Sequence, residues 1–216
     1  QHALTSSDTG PYAEGFRNSL HITNGNQTSG AGTNDYIAVD YRIEAQDIAN
    51  SGWNYTSSSS FITCQFWIKS SVAQSFKVEF YVDDGTAQVY SIDTGSLSAD
   101  TWTKVTKTIP GNSNVQIHNN TEEGLIIHFI PWYGTYYSTS GHTLNAWQTS
   151  SSTDRTPDFA QNWANTSNAT FDLTGVQLEV GNSASGFAFE SYNETLQKCK
   201  RYCHVISHAG YSLLGI

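Results

Sequence analysis

The sequence predicts an all-β protein: an antiparallel β-sandwich of jelly-roll type, followed by one short C-terminal helix. Three observations carry this expectation. From about residue 16 to residue 180, apolar and polar side chains alternate with a period of two, in short runs separated by Gly, Asn, Asp and Ser; this is the pattern of strands with one face in a core. The same region contains no apolar stripe of helical period. Beyond it, one stretch changes to apolar residues at helical spacing behind a capping signal, as in a helix with one packed face.

In chain order, the first run occupies residues 16–23. Residues 36–44 then place Ile37, Val39, Tyr41 and Ile43 on one face and Asp40, Arg42 and Glu44 on the other, because successive side chains of a strand point to opposite sides. Ile62, Cys64, Phe66 and Ile68 share a face, and Phe76, Val78, Phe80 and Val82 continue the pattern after a short turn. Asp83, Asp84 and Gly85 form a hairpin turn, in which Gly supplies the positive φ, leading into residues 86–92. Further runs occupy residues 102–109 and 125–130. The last run changes parity. Phe171 and Leu173 are odd-numbered while Val176, Leu178 and Val180 are even-numbered, so a β-bulge near Gly175 is needed to keep them facing one core. The total is about eight strands, the complement of a jelly roll.

The helix opens at Ser191, three residues before Glu194, which is the spacing of a capping box. Tyr192, Leu196, Cys199 and Cys203 follow at i, i+4, i+7 and i+11, one apolar stripe on a helix ending near His204. The chain therefore divides into an N-terminal extension at residues 1–15, a sandwich at 16–190, and a segment at 191–216 that joins the helix to the start of a C-terminal assembly segment. No Met occurs anywhere and the chain ends on an apolar stretch, residues 211–216. Both features predict that it is a portion of a longer product continuing beyond Ile216.

A length of 216 residues suits one large sandwich. Charged residues make up 13% of it, well below the roughly 25% of ordinary soluble domains, and Ser, Thr, Asn and Gln replace them. Aromatic residues also reach 13%, enough to fill a core and leave rings for a surface. The formal charge of −9 repels a phosphate backbone, so nucleic acid and anionic membranes are excluded as partners and neutral ligands such as glycans are favoured. No apolar run approaches the ~20 residues that span a bilayer, so no membrane insertion is expected. Three Cys, namely Cys64, Cys199 and Cys203, make no even disulfide framework. Together with His204 and His208 the latter two have the right atoms for zinc but match no standard spacing, and free thiols are expected.

No catalytic constellation emerges. Asp83-Asp84 precedes a turn Gly and is explained by turn chemistry. Adjacent carboxylates on a strand also point apart, whereas glycoside hydrolysis needs two facing each other across a sugar. Glu122 and Glu123 belong to a loop beside a strand, and His128 sits inside a strand as a packed or outward-facing residue. No Gly-x-Ser-x-Gly nucleophile elbow is present. The chain is read as non-enzymatic. For binding, the long polar stretch 131–169 stands out because it interrupts the strand rhythm and carries many aromatic rings. Stacked rings and amide side chains are what a sugar site requires. Tyr133, Tyr136 and Tyr137 are the leading ligand-binding candidates, with Trp132 and Trp147 beside them; Trp147 and Trp163 have an alternative role in pinning the loop to the sandwich.

The run Leu173, Gly175, Val176, Gln177, Leu178, Glu179 and Gly181, followed by Gly186, Phe187, Phe189, Glu190, Ser191, Tyr192, Glu194, Leu196, Cys199, Arg201 and Tyr202, resembles a block common in phage tail-fibre and related virion proteins. Domains of that family in turn resemble carbohydrate-binding-module jelly rolls. Upstream pieces at 41–49, 66–71, 100–111 and 142–155 are similar in the same order, so the resemblance covers nearly the whole chain. Ala188 replaces the usual Pro, and Cys203 replaces an aromatic residue. The resemblance implies a structural protein of the virion, located on a tail fibre or other extracellular appendage. It further implies a homotrimer contacting other virion proteins and a module that attaches to a host glycan or other surface receptor. A purely architectural virion protein (shaft, adaptor or capsid decoration) and the carbohydrate-binding module of a larger hydrolase are the alternatives. The family supplies no catalytic residues and no cofactor. Its carbohydrate-module relatives do allow a structural calcium, for which Glu179 and Asp172 on the last strand, or Asp35 near the first, are the candidate carboxylates.

Overall fold

The structure, a computed structural model, describes residues 1–26, 30–160 and 162–202. It separates into a compact unit at Gln1–Ser185 and a second unit at Gly186–Ile216. The first unit is the predicted sandwich. Its strands in chain order are β1 (His2–Ala3), β2 (Asn18–Thr23), β3 (Tyr36–Glu44), β4 (Phe61–Ser70), β5 (Lys77–Val82), β6 (Gln88–Asp93), β7 (Thr103–Pro110), β8 (Glu123–Tyr133), β9 (Trp147–Thr149) and β10 (Thr170–Val180), with short helices α1 (Ala45–Ala49) and α2 (Asn162–Asn165). Among the described residues they form two antiparallel sheets, ordered β1-β2-β10-β4-β7 and β3-β8-β5-β6-β9.

The alternation read from the sequence supplies the layer between these sheets. Ile62, Cys64, Phe66 and Ile68 from β4 meet Val78, Phe80 and Val82 from β5 and Leu125, Ile127 and Phe129 from β8, all buried. Phe66 and Phe129 meet edge-on across the sandwich at 5.1 Å, and Phe76 and Phe171 at 5.2 Å, the arrangement favoured by the ring quadrupole. Burial pushes the Cys64 thiol up to about 12, so it packs as a small hydrophobe. The predicted bulge is present: the β10 to β4 register shifts between Thr174 and Gln177. Gly175 there has φ +61°, and a Cβ would stand 2.6 Å from the Phe16 ring. Only Gly satisfies both demands.

Two expectations about connecting segments are corrected. Residues 1–15 are not an extension. β1 pairs with β2, Leu4 and Phe16 are buried, and Gly10 lies against the Trp67 indole. The segment carries no strand alternation because polar anchors hold it: the Asp8 carboxylate accepts from Trp102 Nε1 at 3.0 Å and Lys69 Nζ at 3.2 Å, and Glu14 accepts from Trp67 Nε1 at 3.0 Å. Nor does the stretch 131–169 project as a loop. Its first residues belong to β8, it contributes β9 and α2, and the chain between folds back over the outer face of the second sheet. There Ser91 Oγ donates to the Arg155 carbonyl at 3.0 Å and the Asn145 amide donates to the Ser91 carbonyl at 2.8 Å.

In the second unit the helix α3 (Tyr192–Lys200) carries the expected capping box. The Glu194 amide donates to Ser191 Oγ at 3.3 Å, and the Ser191 amide donates to Glu194 Oε2 at 2.8 Å. Tyr192 and Cys199 of the predicted stripe are exposed and Leu196 is half-buried; Cys203, His204 and His208 lie outside the described residues. Among the described residues no helix is long and apolar enough to cross a membrane.

Candidate ligand groove

The outer face of the second sheet is defined by register. Asp40 on β3 is paired with His128 on β8, which is paired with Glu79 on β5, itself opposite Ser91 on β6; these side chains point away from the sandwich core. The folded-back chain covers the β6 side of this face, where Glu79, Ser91 and Ile130 are buried. The β3 side remains open as a groove of about 610 Å³ lined by Tyr36, Asp40, Arg42, Tyr81, Glu123, His128, Tyr133, Tyr137, Ser150, Ser151, Ser152 and Arg155, among others.

Its floor is a chain of paired polar groups. Arg155 Nη2 and Nε both donate to Glu79 Oε1, at 2.9 and 3.3 Å. A third contact joins Arg155 Nη2 to His128 Nε2 at 3.3 Å, and His128 Nδ1 lies 2.6 Å from Asp40 Oδ1. A guanidinium can only donate, so His128 Nε2 accepts and the ring proton sits on Nδ1, shared with Asp40. Arg42 pairs with Glu123 and lies 3.5 Å from Asp40 Oδ2. Burial pushes the Glu79 carboxyl up from its ordinary value, and the neighbouring Arg155 acts against that rise. Burial works against the Arg155 charge too, but Glu79 together with the nearby Tyr133 and Tyr81 oxygens holds the guanidinium above its ordinary value. Tyr81 donates to Asp83 Oδ1 at 2.7 Å, and burial, then this carboxylate, pushes its hydroxyl up to about 12.

One end of the groove is aromatic. Tyr36, 61% exposed, meets Tyr137 edge-on at 5.4 Å and Tyr133 at 6.1 Å. The Arg155 guanidinium stands 5.5 Å from the Tyr133 ring centre and 5.7 Å from that of Tyr81, so cation–π contacts join the rings to the floor.

The sequence candidates divide on this frame. Tyr137 lines the groove half-buried, and Tyr136, 47% exposed, packs edge-on against it at 5.0 Å without lining the groove. Tyr133 lines it too but is buried, with its hydroxyl raised by burial and by the Glu79 charge. Trp132 is corrected to a packing role, and half-buried Trp147 has the pinning role that was its alternative. Trp132 turns into the core, edge-on to Phe159 at 5.8 Å. Trp147 donates through Nε1 to the Pro110 carbonyl at 2.6 Å and packs 5.4 Å from Tyr90, which pins β9. Trp163 is likewise buried and donates to the Thr170 carbonyl.

The three carboxylates considered for calcium do not converge. Asp172 is buried against His21 and Ser19, Glu179 accepts from the Ser185 amide and hydroxyl, and Asp35 accepts from the Gly32 amide. No cluster of three or more metal-binding side chains occurs among the described residues. The residues that build the groove and were not singled out as ligand contacts are Tyr36, Tyr81, Glu79 and Arg155, together with Asp40, Arg42 and His128. The shared outward face of Asp40 and Arg42 was the signal available for them. Comparison of the chain with protein-family models, curated proteins and solved structures finds no match.

Proposed function

We propose that this protein is a structural, non-enzymatic module of a phage tail fibre or similar extracellular virion appendage, and that it attaches to a host-surface glycan through the groove on its second sheet. The observation that carries the binding part is the combination within one concavity of a Tyr36 and Tyr137 wall with a floor of interlocked polar side chains on a rigid sheet. Aromatic faces stack on the apolar face of a pyranose, and pre-oriented carboxylates and hydroxyls bond its hydroxyl groups. The virion location rests on the sequence block at 173–202. An oligosaccharide array, followed by adsorption competition with any hit, tests the reading. Binding that is lost in Tyr36→Ala supports it, and no binding to any oligosaccharide overturns it.

A second, architectural component is favoured by the helix unit, where Tyr192 stands 80% exposed. An exposed ring on a well-capped helix suits burial in an assembly, and a homotrimer is the proposed state. Leu196→Asp should then lower the oligomer mass seen in light scattering, and a monomeric wild-type protein would count against the trimer.

A further inference from the structure

We infer that the groove is closed to anionic glycans and selects uncharged ones, with Glu79 and Glu123 setting this preference by cancelling the two guanidiniums that line it. The inference rests on the glycan reading above and adds the class of ligand.

Recognition of a uronate or sialate carboxylate calls for a cation with donors to spare, best a guanidinium in bidentate geometry. Arg155 gives Nε and Nη2 to Glu79 and the second Nη2 hydrogen to His128, which leaves Nη1 as a single donor nitrogen and neither two-nitrogen fork open. Glu79 is fully buried in the middle of β5, so it has no rotation into water by which to release Arg155. Arg42 Nη1 pairs with Glu123 and its Nη2 lies 3.5 Å from Asp40, so two carboxylates offset its charge. A ligand carboxylate that takes the bidentate grip of a guanidinium would have to displace a partner already held within the molecule, and would then face Asp40 and Glu123 on an acidic protein of formal charge −9. An uncharged pyranose meets no such opposition. It needs hydroxyl partners, which Asp40, Glu123 and the Ser150 to Ser152 hydroxyls supply, and an aromatic face, which Tyr36 supplies.

The test is titration calorimetry of the full chain with gluco-, manno- and galacto-oligosaccharides and with the uronate oligomers of the same length. The wild type should bind at least one neutral series, on the order of tenfold more tightly than its uronate counterpart. Glu79→Gln keeps an oxygen to accept from Arg155 but removes the charge, and should raise uronate affinity relative to neutral affinity by about tenfold. Glu123→Gln, at an exposed pair where folding is not at stake, should raise the ratio of uronate to neutral affinity too, whatever it does to neutral binding itself, and it decides the matter if Glu79→Gln does not fold. Wild-type binding of uronates as tightly as neutral sugars, or no gain of uronate affinity relative to neutral affinity in the folded variants, overturns this inference and leaves the glycan reading standing. Absence of binding to every oligomer overturns both.

Discussion

The guanidinium of Arg155, carried by the chain that folds back after β8, donates to the fully buried Glu79 carboxylate on β5 at 2.9 Å. This pair joins a non-strand segment to the sheet and at the same time forms the groove floor. Arg155→Met should destabilise the fold by about 3–5 kcal/mol, because it strands a buried carboxylate without its partner. The double variant Arg155→Met, Glu79→Met should recover most of that loss, since no buried charge remains. Chemical denaturation of both variants checks the difference. Equal destabilisation of the two would mean that packing, and not charge, ties this segment down.

Gly175 and Phe16 hold the β10 bulge. Gly175→Ala places a Cβ at positive φ and 2.6 Å from the ring, and should cost about 1–3 kcal/mol. Phe16→Ala should cost about 3 kcal/mol through the cavity it leaves. The double variant should cost less than the sum, because removing the ring makes room for the new methyl. Additive losses in thermal or urea unfolding would show that the ring is not the obstacle.

These two pairs differ in how far they could be read from the sequence. The bulge was legible, because a period-2 pattern that changes parity around a Gly can keep facing one core only if an extra residue is inserted there. Strand alternation likewise predicted the residues of the sandwich core, and Ser191 with Glu194 predicted the start of the helix. The groove was half legible: Asp40 and Arg42 were visibly outward, and the Tyr residues of 133–137 were visibly crowded. Glu79 and Arg155 are 76 residues apart and no local pattern links them. Trp132 was misplaced because a polar, Ser- and Thr-rich stretch looks solvent-exposed, whereas this one packs against a sheet face. The role of residues 1–15 was hidden for a related physical reason, since hydrogen bonds from Asp8 and Glu14 leave no periodic signature.

Asp8 gives that segment a pH signature. Burial would raise its carboxyl, but the Thr5 amide, the Trp102 indole and Lys69 outweigh burial and hold it well below the ordinary carboxylate range. A carboxyl depressed in the folded state stabilises the protein above its unfolded value of about 3.9 and loses that contribution as pH falls towards the folded value. Asp8→Asn should therefore melt lower than wild type at pH 7, by about 1.5–3 kcal/mol of stability, and the gap should narrow progressively as pH falls below about 4. A gap that stays constant from pH 7 to pH 2 would show that the lost contacts are not charge-dependent.

The Tyr residues around the groove should separate into contact and support, and the separation decides whether this face is a binding site. Tyr36 is exposed at the groove rim, whereas Tyr133 is buried beneath it and belongs to the core cluster. Tyr36→Ala should leave the melting temperature nearly unchanged and weaken glycan or cell binding by about 1–3 kcal/mol, as loss of an interface aromatic does. Tyr133→Ala should instead lower stability by about 3 kcal/mol or more, as truncation of a buried aromatic does, and should weaken binding only through the disturbed floor. Tyr137, half-buried between the two, should show part of each effect. Tyr136 packs on Tyr137 outside the groove, so Tyr136→Ala should change binding least. The order Tyr36, Tyr137, Tyr136 in lost affinity, measured with melting curves on the same samples, is what a site in this groove requires. If Tyr136→Ala weakens binding most while Tyr36→Ala has no effect, the ligand lies on the outer side of the folded-back chain, and the groove floor then serves only to hold that chain in place.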